Sequence, residues 1–124
     1  MTHRRFDRTA RLLGDAGIAR LASATVTVFG VGGVGSFAAE ALVRSGVGRV
    51  ILVDYDRICV TNVNRQLHAL RRTVGQPKSE LMAERALQIN PRAEIVGLQR
   101  FFGAVHRLTT ERRLSRIAYL VEVR

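Results

Sequence analysis

A chain of 124 residues, 47% hydrophobic and 24% charged, suits one small folded domain and excludes a disordered segment. Its formal net charge of +10, from 20 basic and 10 acidic residues, attracts anions such as nucleic acid or marks an arginine-rich solvated surface, for only Lys78 among the basic residues is a lysine. The single cysteine, Cys59, excludes an internal disulfide or a Cys-x-x-Cys zinc pair, and no apolar run reaches the roughly 18 residues of a membrane span or forms a signal core, so no membrane partner and a cytoplasmic location are the default.

In chain order, residues 7–22 read as a helix, with Leu12, Leu13, Ala16, Ala19 and Leu21 at helical spacing and Gly14 and Gly17 weakening its middle. Arg4, Arg5, Arg8 and Arg11 form a basic cluster, the usual sign of a solvated face. Residues 24–29 are continuously apolar or β-branched, as expected of a strand buried on both faces. Gly30, Gly32 and Gly35 then set the G-x-G-x-x-G spacing, with Gly33 a fourth glycine. Such a turn lets the backbone approach a phosphate closely, and the following helix points free N–H groups at it. That helix is expected over 34–45, with Phe37, Ala38, Ala41 and Leu42 facing inward and Gly46 as its left-handed stop.

Residues 49–54 form the second parallel strand. Asp54 closes it 24 residues after Gly30, where an acid accepts hydrogen bonds from a ribose. Residues 55–75 hold no long periodic segment and follow the C-terminal end of a parallel strand, the usual ligand edge of an open α/β sheet. A second helix spans 77–90, with Pro77 at its first position and Asn90-Pro91 ending it. Lys78 in its first turn opposes the helix dipole, an objection that a bound anion removes. Residues 93–98 read as a third strand, 110–116 as a short basic helix and 117–123 as a last strand. Cys59 reads as structural. His68 is open to contact with substrate, but a lone histidine beside Leu67, Ala69 and Leu70 more often packs or caps.

The segments GVGGVGS, VDYD, CVTNVNRQLHAL and VGQPKSELMAERALQINP resemble the ThiF-type adenylating family, which includes ubiquitin-activating enzymes and activators of sulfur-carrier proteins. The resemblance covers about residues 5–100. Within the family, RFDRTARLLG and the Asn-Arg-Gln-Leu-His-Ala-Leu run are most similar to the branch that dehydrates threonylcarbamoyladenosine in tRNA.

The resemblance implies an α/β, Rossmann-like, mostly parallel sheet with flanking helices that takes ATP with magnesium. A carboxylate attacks the α-phosphate, pyrophosphate leaves and an acyl-adenylate forms. In the dehydratase branch, activation of threonylcarbamoyladenosine in tRNA lets it cyclise with loss of water. By the family pattern Arg65 and Lys78 contact the phosphates, and Arg8 serves the partner subunit's site in a homodimer. Asp54 is the ribose acid, and Asn62 and Gln66 line the site. Asp56 orients polar groups or water near the metal, and Gly30, Gly32, Gly33 and Gly35 hold the phosphate turn. No metal-ligating residue is assigned.

The expected layout is a helix over 1–23, a nucleotide-binding core over 24–100 and a divergent tail over 101–124. Against the family the sheet is expected to be incomplete at the C-terminus. Glu122 stands at the first place of an acidic pair whose second member is not reached, as in a truncated or frame-shifted fragment with weak or no activity. Two alternatives stay open beside the dehydratase: adenylation of the C-terminal glycine of a ubiquitin-like sulfur carrier, with a sulfur-transfer partner protein, and an inactive nucleotide-binding fragment. A nicotinamide dehydrogenase fits poorly with the Asn-Arg-Gln loop and Lys78.

Overall fold

The computed structural model describes residues 4–99 and 119–121. The expected helix over 110–116, the body of the tail and Glu122 lie outside the described residues. The elements are α1 (Asp7–Ser23), β1 (Thr25–Phe29), α2 (Gly35–Arg44), β2 (Arg49–Val53), α3 (Lys78–Ile89), β3 (Glu94–Leu98) and β4 (Tyr119–Val121).

The four strands form one sheet in the order β3-β2-β1-β4, with every pairing parallel. Thr25 sits opposite Arg49 and Phe29 opposite Val53, while Arg49 sits opposite Glu94 and Val53 opposite Leu98. The C-terminal ends of β1, β2 and β3 are therefore level, and the loops that leave β1 and β2 share one edge. β4 lies on the free side of β1, with Thr27 opposite Tyr119, so among the described residues the sheet gains a fourth strand from the expected last one.

The main core lies between one sheet face and the helices. Val26, Val28, Val50 and Leu52 meet Ala39 and Val43 of α2 and Met82 and Ala86 of α3. Alternation along the strands sends Ile51 and Val53 to the opposite face, beside Phe29, Val96 and Leu98. Among the described residues no helix is long and apolar enough to cross a membrane.

Two helical stripes differ from those expected. In α2 the buried residues are Gly35, Ser36, Ala39 and Val43, and Phe37 is 55% exposed. Leu42 packs partly against the core as expected, but the close seat of Gly35 on the Gly30 carbonyl sets the rotation of α2 and turns Phe37 outward. In α1, Gly14 adopts φ 68°, ψ 172°, breaking the helix into two pieces. The expected single stripe is cut there: Gly17 is buried, Ile18 and Leu21 are half-buried, and Leu12 and Leu13 are exposed. Pro77 stands just before α3 with extended ψ of 130°, not at its first helical position.

Gly35 is the tightest point of the fold. A Cβ there would lie 1.7 Å from the Gly30 carbonyl oxygen, and backbone cannot yield as a side chain can. Gly35→Ala is therefore expected to destabilise the fold by more than about 2 kcal/mol, read as a shift in the urea midpoint. On the far side of α2, the Arg85 guanidinium of α3 grips Glu40 and, with Arg44, holds its carboxyl below the ordinary value of 4.5. A depressed carboxyl stabilises the fold above its unfolded pKa and loses that contribution as pH falls through the folded value. Unfolding measured against pH is thus expected to show an acid-side loss below pH 4.5 that Glu40→Gln diminishes.

Candidate nucleotide site

The site is built on Val31, the second residue of the glycine turn. Its N–H donates to Asp54 Oδ2 at 2.8 Å, across the gap between β1 and β2. The other oxygen, Oδ1, accepts the Asp56 N–H at 2.8 Å. Asp54 is thus buried at the end of β2 with each oxygen tied to backbone, which couples the glycine turn to the loop that follows the second strand. The carbonyl of Val31 is held from the other side by His68 Nε2 at 2.5 Å. A carbonyl only accepts, so Nε2 carries the proton.

The sequence reading treats His68 as a packing or capping residue. It is 4% exposed, but its task is specific: it fixes the conformation of the turn. In the sequence, only its place in the loop that follows the second strand, close after the Asn-Arg-Gln run, pointed toward the site. Burial lowers the His68 pKa, Lys78 and Arg85 push the same way, and the Val31 carbonyl and Asp54 oppose them. Among the described residues the buried Nδ1 has no hydrogen-bond partner, so none of them would receive a second ring proton.

The turn itself offers an anion seat. Gly30 has φ 84°, a conformation that favours glycine. The N-terminus of α2 has no side-chain cap and no acidic residue in its first turn, leaving backbone N–H groups to serve a ligand. Over it lies Arg65: a Cβ on Gly33 would meet Arg65 Cδ at 3.3 Å. The guanidinium rests on the Thr61 carbonyl at 3.2 Å and Asn64 Oδ1 at 3.0 Å, exposed and reachable by an anion.

Asn62 positions Arg65 from below. Its Oδ1 accepts the Cys59 N–H at 2.8 Å, and its carbonyl receives the N–H groups of Arg65 and Gln66. Gln66 is buried, and its Oε1 has no partner among the described residues.

Lys78 arrives from a different element. Ile58 N–H donates to the Gln76 carbonyl and Gly75 N–H to the Ile58 carbonyl, both at 2.8 Å, so the start of the long loop pairs with its end. The Lys78 N–H donates to the Asp56 carbonyl at 3.1 Å, and Nζ lies 3.6 Å from Asp56 Oδ2. Lys78 is 6% exposed. The dipole objection to a lysine here is met within the chain by Asp56, so a bound anion is not needed to explain it.

Arg8 is not brought to this site within the chain. It is exposed at the start of α1, and its neighbour Phe6 packs over Gly46, beyond the C-terminal end of α2. Cys59, read as structural, is exposed and stands at the start of the 3-10 turn Val60–Asn62, its N–H held by Asn62. The Thr61 hydroxyl donates to its Sγ at 3.3 Å, and this bond chiefly holds the thiol pKa below the ordinary value.

The sequence profile of the ThiF family matches residues 6–121. A tRNA threonylcarbamoyladenosine dehydratase of Bacillus subtilis is 58% identical over 97 residues, 78% of this chain and 38% of that protein. A crystal structure of the Escherichia coli tRNA N6-threonylcarbamoyladenosine dehydratase TcdA in complex with ATP superposes with TM-score 0.84 at 42% identity, covering 97% of this chain and 50% of that one. A sulfur carrier protein adenylyltransferase of Thermus thermophilus is 40% identical over 79 residues, 64% of this chain and 29% of that protein. The chain thus spans from 29% to 50% of the length of these three proteins.

His68 is expected to be neutral at neutral pH with its proton on Nε2, and to titrate below its ordinary 6.5. Because the fold lowers this pKa, the stability it contributes is complete above 6.5 and is lost as pH falls through the folded value. Ring-nitrogen NMR, assigned with His68→Gln, checks both points; a proton on Nδ1 or a charged ring at neutral pH contradicts the geometry.

Proposed function

The chain belongs to the ThiF family, and we propose that it binds ATP at the glycine turn for the adenylation of a carboxylate, that of threonylcarbamoyladenosine in tRNA, leading to cyclising dehydration. The observation that carries this reading is the pair of cations beside the turn. Arg65 lies over Gly33, and Lys78 stands buried against Asp56 at the same sheet edge. A departing pyrophosphate carries more negative charge than the pyrophosphate bridge of a dinucleotide, so two cations at this edge suit ATP chemistry better than hydride transfer. Displacing pyrophosphate concentrates negative charge on the β- and γ-phosphates, and cations held beside the turn offset it.

The chemistry is an in-line exchange. A carboxylate oxygen bonds to the α-phosphorus while the bond from that phosphorus to the bridging oxygen breaks, and the electron pair leaves with pyrophosphate. The α2 N-terminus and the turn N–H groups bind and orient the phosphates, and Arg65 and Lys78 take up the shifting charge. Asp54 retains lone pairs for a ribose hydroxyl after holding Val31 and Asp56. Gln66 Oε1 is an acceptor awaiting a donor, and with Asn62 it lines the site.

Magnesium is supported less. Among the described residues no group of three or more His, Cys, Asp or Glu side chains could hold a metal ion, Asp54 is engaged with backbone and Asp56 with Lys78. These residues do not form a metal site by themselves. Arg8, remote from its own chain's site, fits a role across a homodimer interface. The sulfur carrier adenylyltransferase relative supports a second reading with the same first step, in which the carboxylate is the C-terminal glycine of a carrier protein.

ATP binding to this chain, measured by calorimetry, tests the proposal. Lys78→Ala and Arg65→Ala are each expected to weaken ATP about tenfold or more, near 1.4 kcal/mol, while changing adenosine affinity little. Equal affinity for ATP in wild type and both variants would sink the assignment. Charging of a carrier protein, with no turnover of tRNA, would move the reading to the second substrate.

A further inference from the structure

Between Arg57 and Ser79 the chain carries five cations, Arg57, Arg65, Arg71, Arg72 and Lys78, and no acidic residue. Arg65 and Lys78 belong to the nucleotide site. Arg57, Arg71 and Arg72 are exposed, and none has an acidic partner among the described residues. They are gathered by the fold. Arg57 Nη1 donates to the Gly75 carbonyl at 3.0 Å, and Gln76 Nε2 donates to the Arg72 carbonyl at 3.2 Å. Arg71 and Arg72 open a 3-10 turn, Arg71–Thr73, which Thr73 pins to the site. Its buried Oγ1 donates to the His68 carbonyl at 2.7 Å and accepts the Leu70 N–H at 2.8 Å. The arginine turn is thus tied directly to the residue that holds the glycine turn.

We propose that Arg57, Arg71 and Arg72 form a contact surface for the phosphodiester backbone of the RNA whose modified nucleotide is presented to the site. This rests on the reading of the site as one that acts on RNA. A carboxylate carried by a nucleotide reaches the glycine turn only if the backbone on either side of it passes over the surrounding surface. That surface carries planar guanidinium groups, which match phosphate oxygens two at a time, and the neighbouring Asp56 carboxylate is paired with Lys78. The contacts read charge and spacing, so they position the RNA without selecting its sequence.

Labelled tRNA, titrated over a range of salt concentrations, tests this. Arg71→Gln/Arg72→Gln is compared with Arg20→Gln/Arg92→Gln, which removes the same charge near the N-terminal ends of β1 and β3, at the opposite edge of the sheet. The first pair is expected to weaken tRNA on the order of tenfold and to lower the salt slope by roughly 1.4 to 1.8, the value for two lost phosphate contacts. The second pair is expected to cost less than about twofold. ATP affinity and thermal unfolding should be unchanged in both, and Arg57→Gln should give about half the slope change. Equal losses in the two pairs would reduce the effect to net charge and overturn the proposal. So would a wild type that ignores tRNA but binds anionic phospholipid vesicles through the same arginines. A wild type that binds tRNA as expected but not ATP would refute the nucleotide reading and leave this surface standing.

Discussion

The site depends on how Val31 is held. Its N–H is gripped by the Asp54 carboxylate and its carbonyl by the His68 imidazole, one from the end of β2 and one from the loop beyond it. A glycine-rich turn has little conformational preference of its own, because the residues that permit it also permit much else. Buried polar groups that must find partners remove that freedom. Asp54 and His68 select one conformation of the turn before any ligand arrives, and a prepared anion seat binds more tightly than one that must be ordered.

The same two residues carry the order outward. Asp54 also fixes Asp56, which meets Lys78 at the start of α3, and the His68 carbonyl accepts from Thr73 beneath the arginine turn. Phosphate turn, buried lysine and basic rim are therefore parts of one hydrogen-bonded assembly. The dense positive charge of this edge is partly offset by Asp56. His68 stays neutral because burial and its cationic neighbours both oppose a proton.

Close packing accounts for the rest of the geometry. Gly35 allows α2 to rest against the Gly30 carbonyl, which aims the helix N-terminus at the space above the turn. That close seat also explains why Phe37 faces outward. Periodicity identifies a helix and its apolar positions, but the partner surface decides which face is buried, and here the close approach at Gly35 sets that face. Gly14 shows a second limit: left-handed backbone splits α1 where residue spacing alone implies continuity.

The sequence by itself determined the strand–glycine turn–helix–strand order, the Asp54 position and the family, because these follow from local periodicity and from residue types at fixed spacing. It also marked Arg65 and Lys78, through a resemblance carried by short motifs. Only the tertiary structure decided what binds what. Lys78 is matched to Asp56 because residues 56–58 pair with 75–78, and His68 meets Val31 across 37 positions of chain. Arg8 falls away from the site because α1 packs toward the other end of α2. Contacts between residues far apart in sequence leave no periodic trace. They arise when buried donors and acceptors, brought together by the sheet and its helices, must find one another.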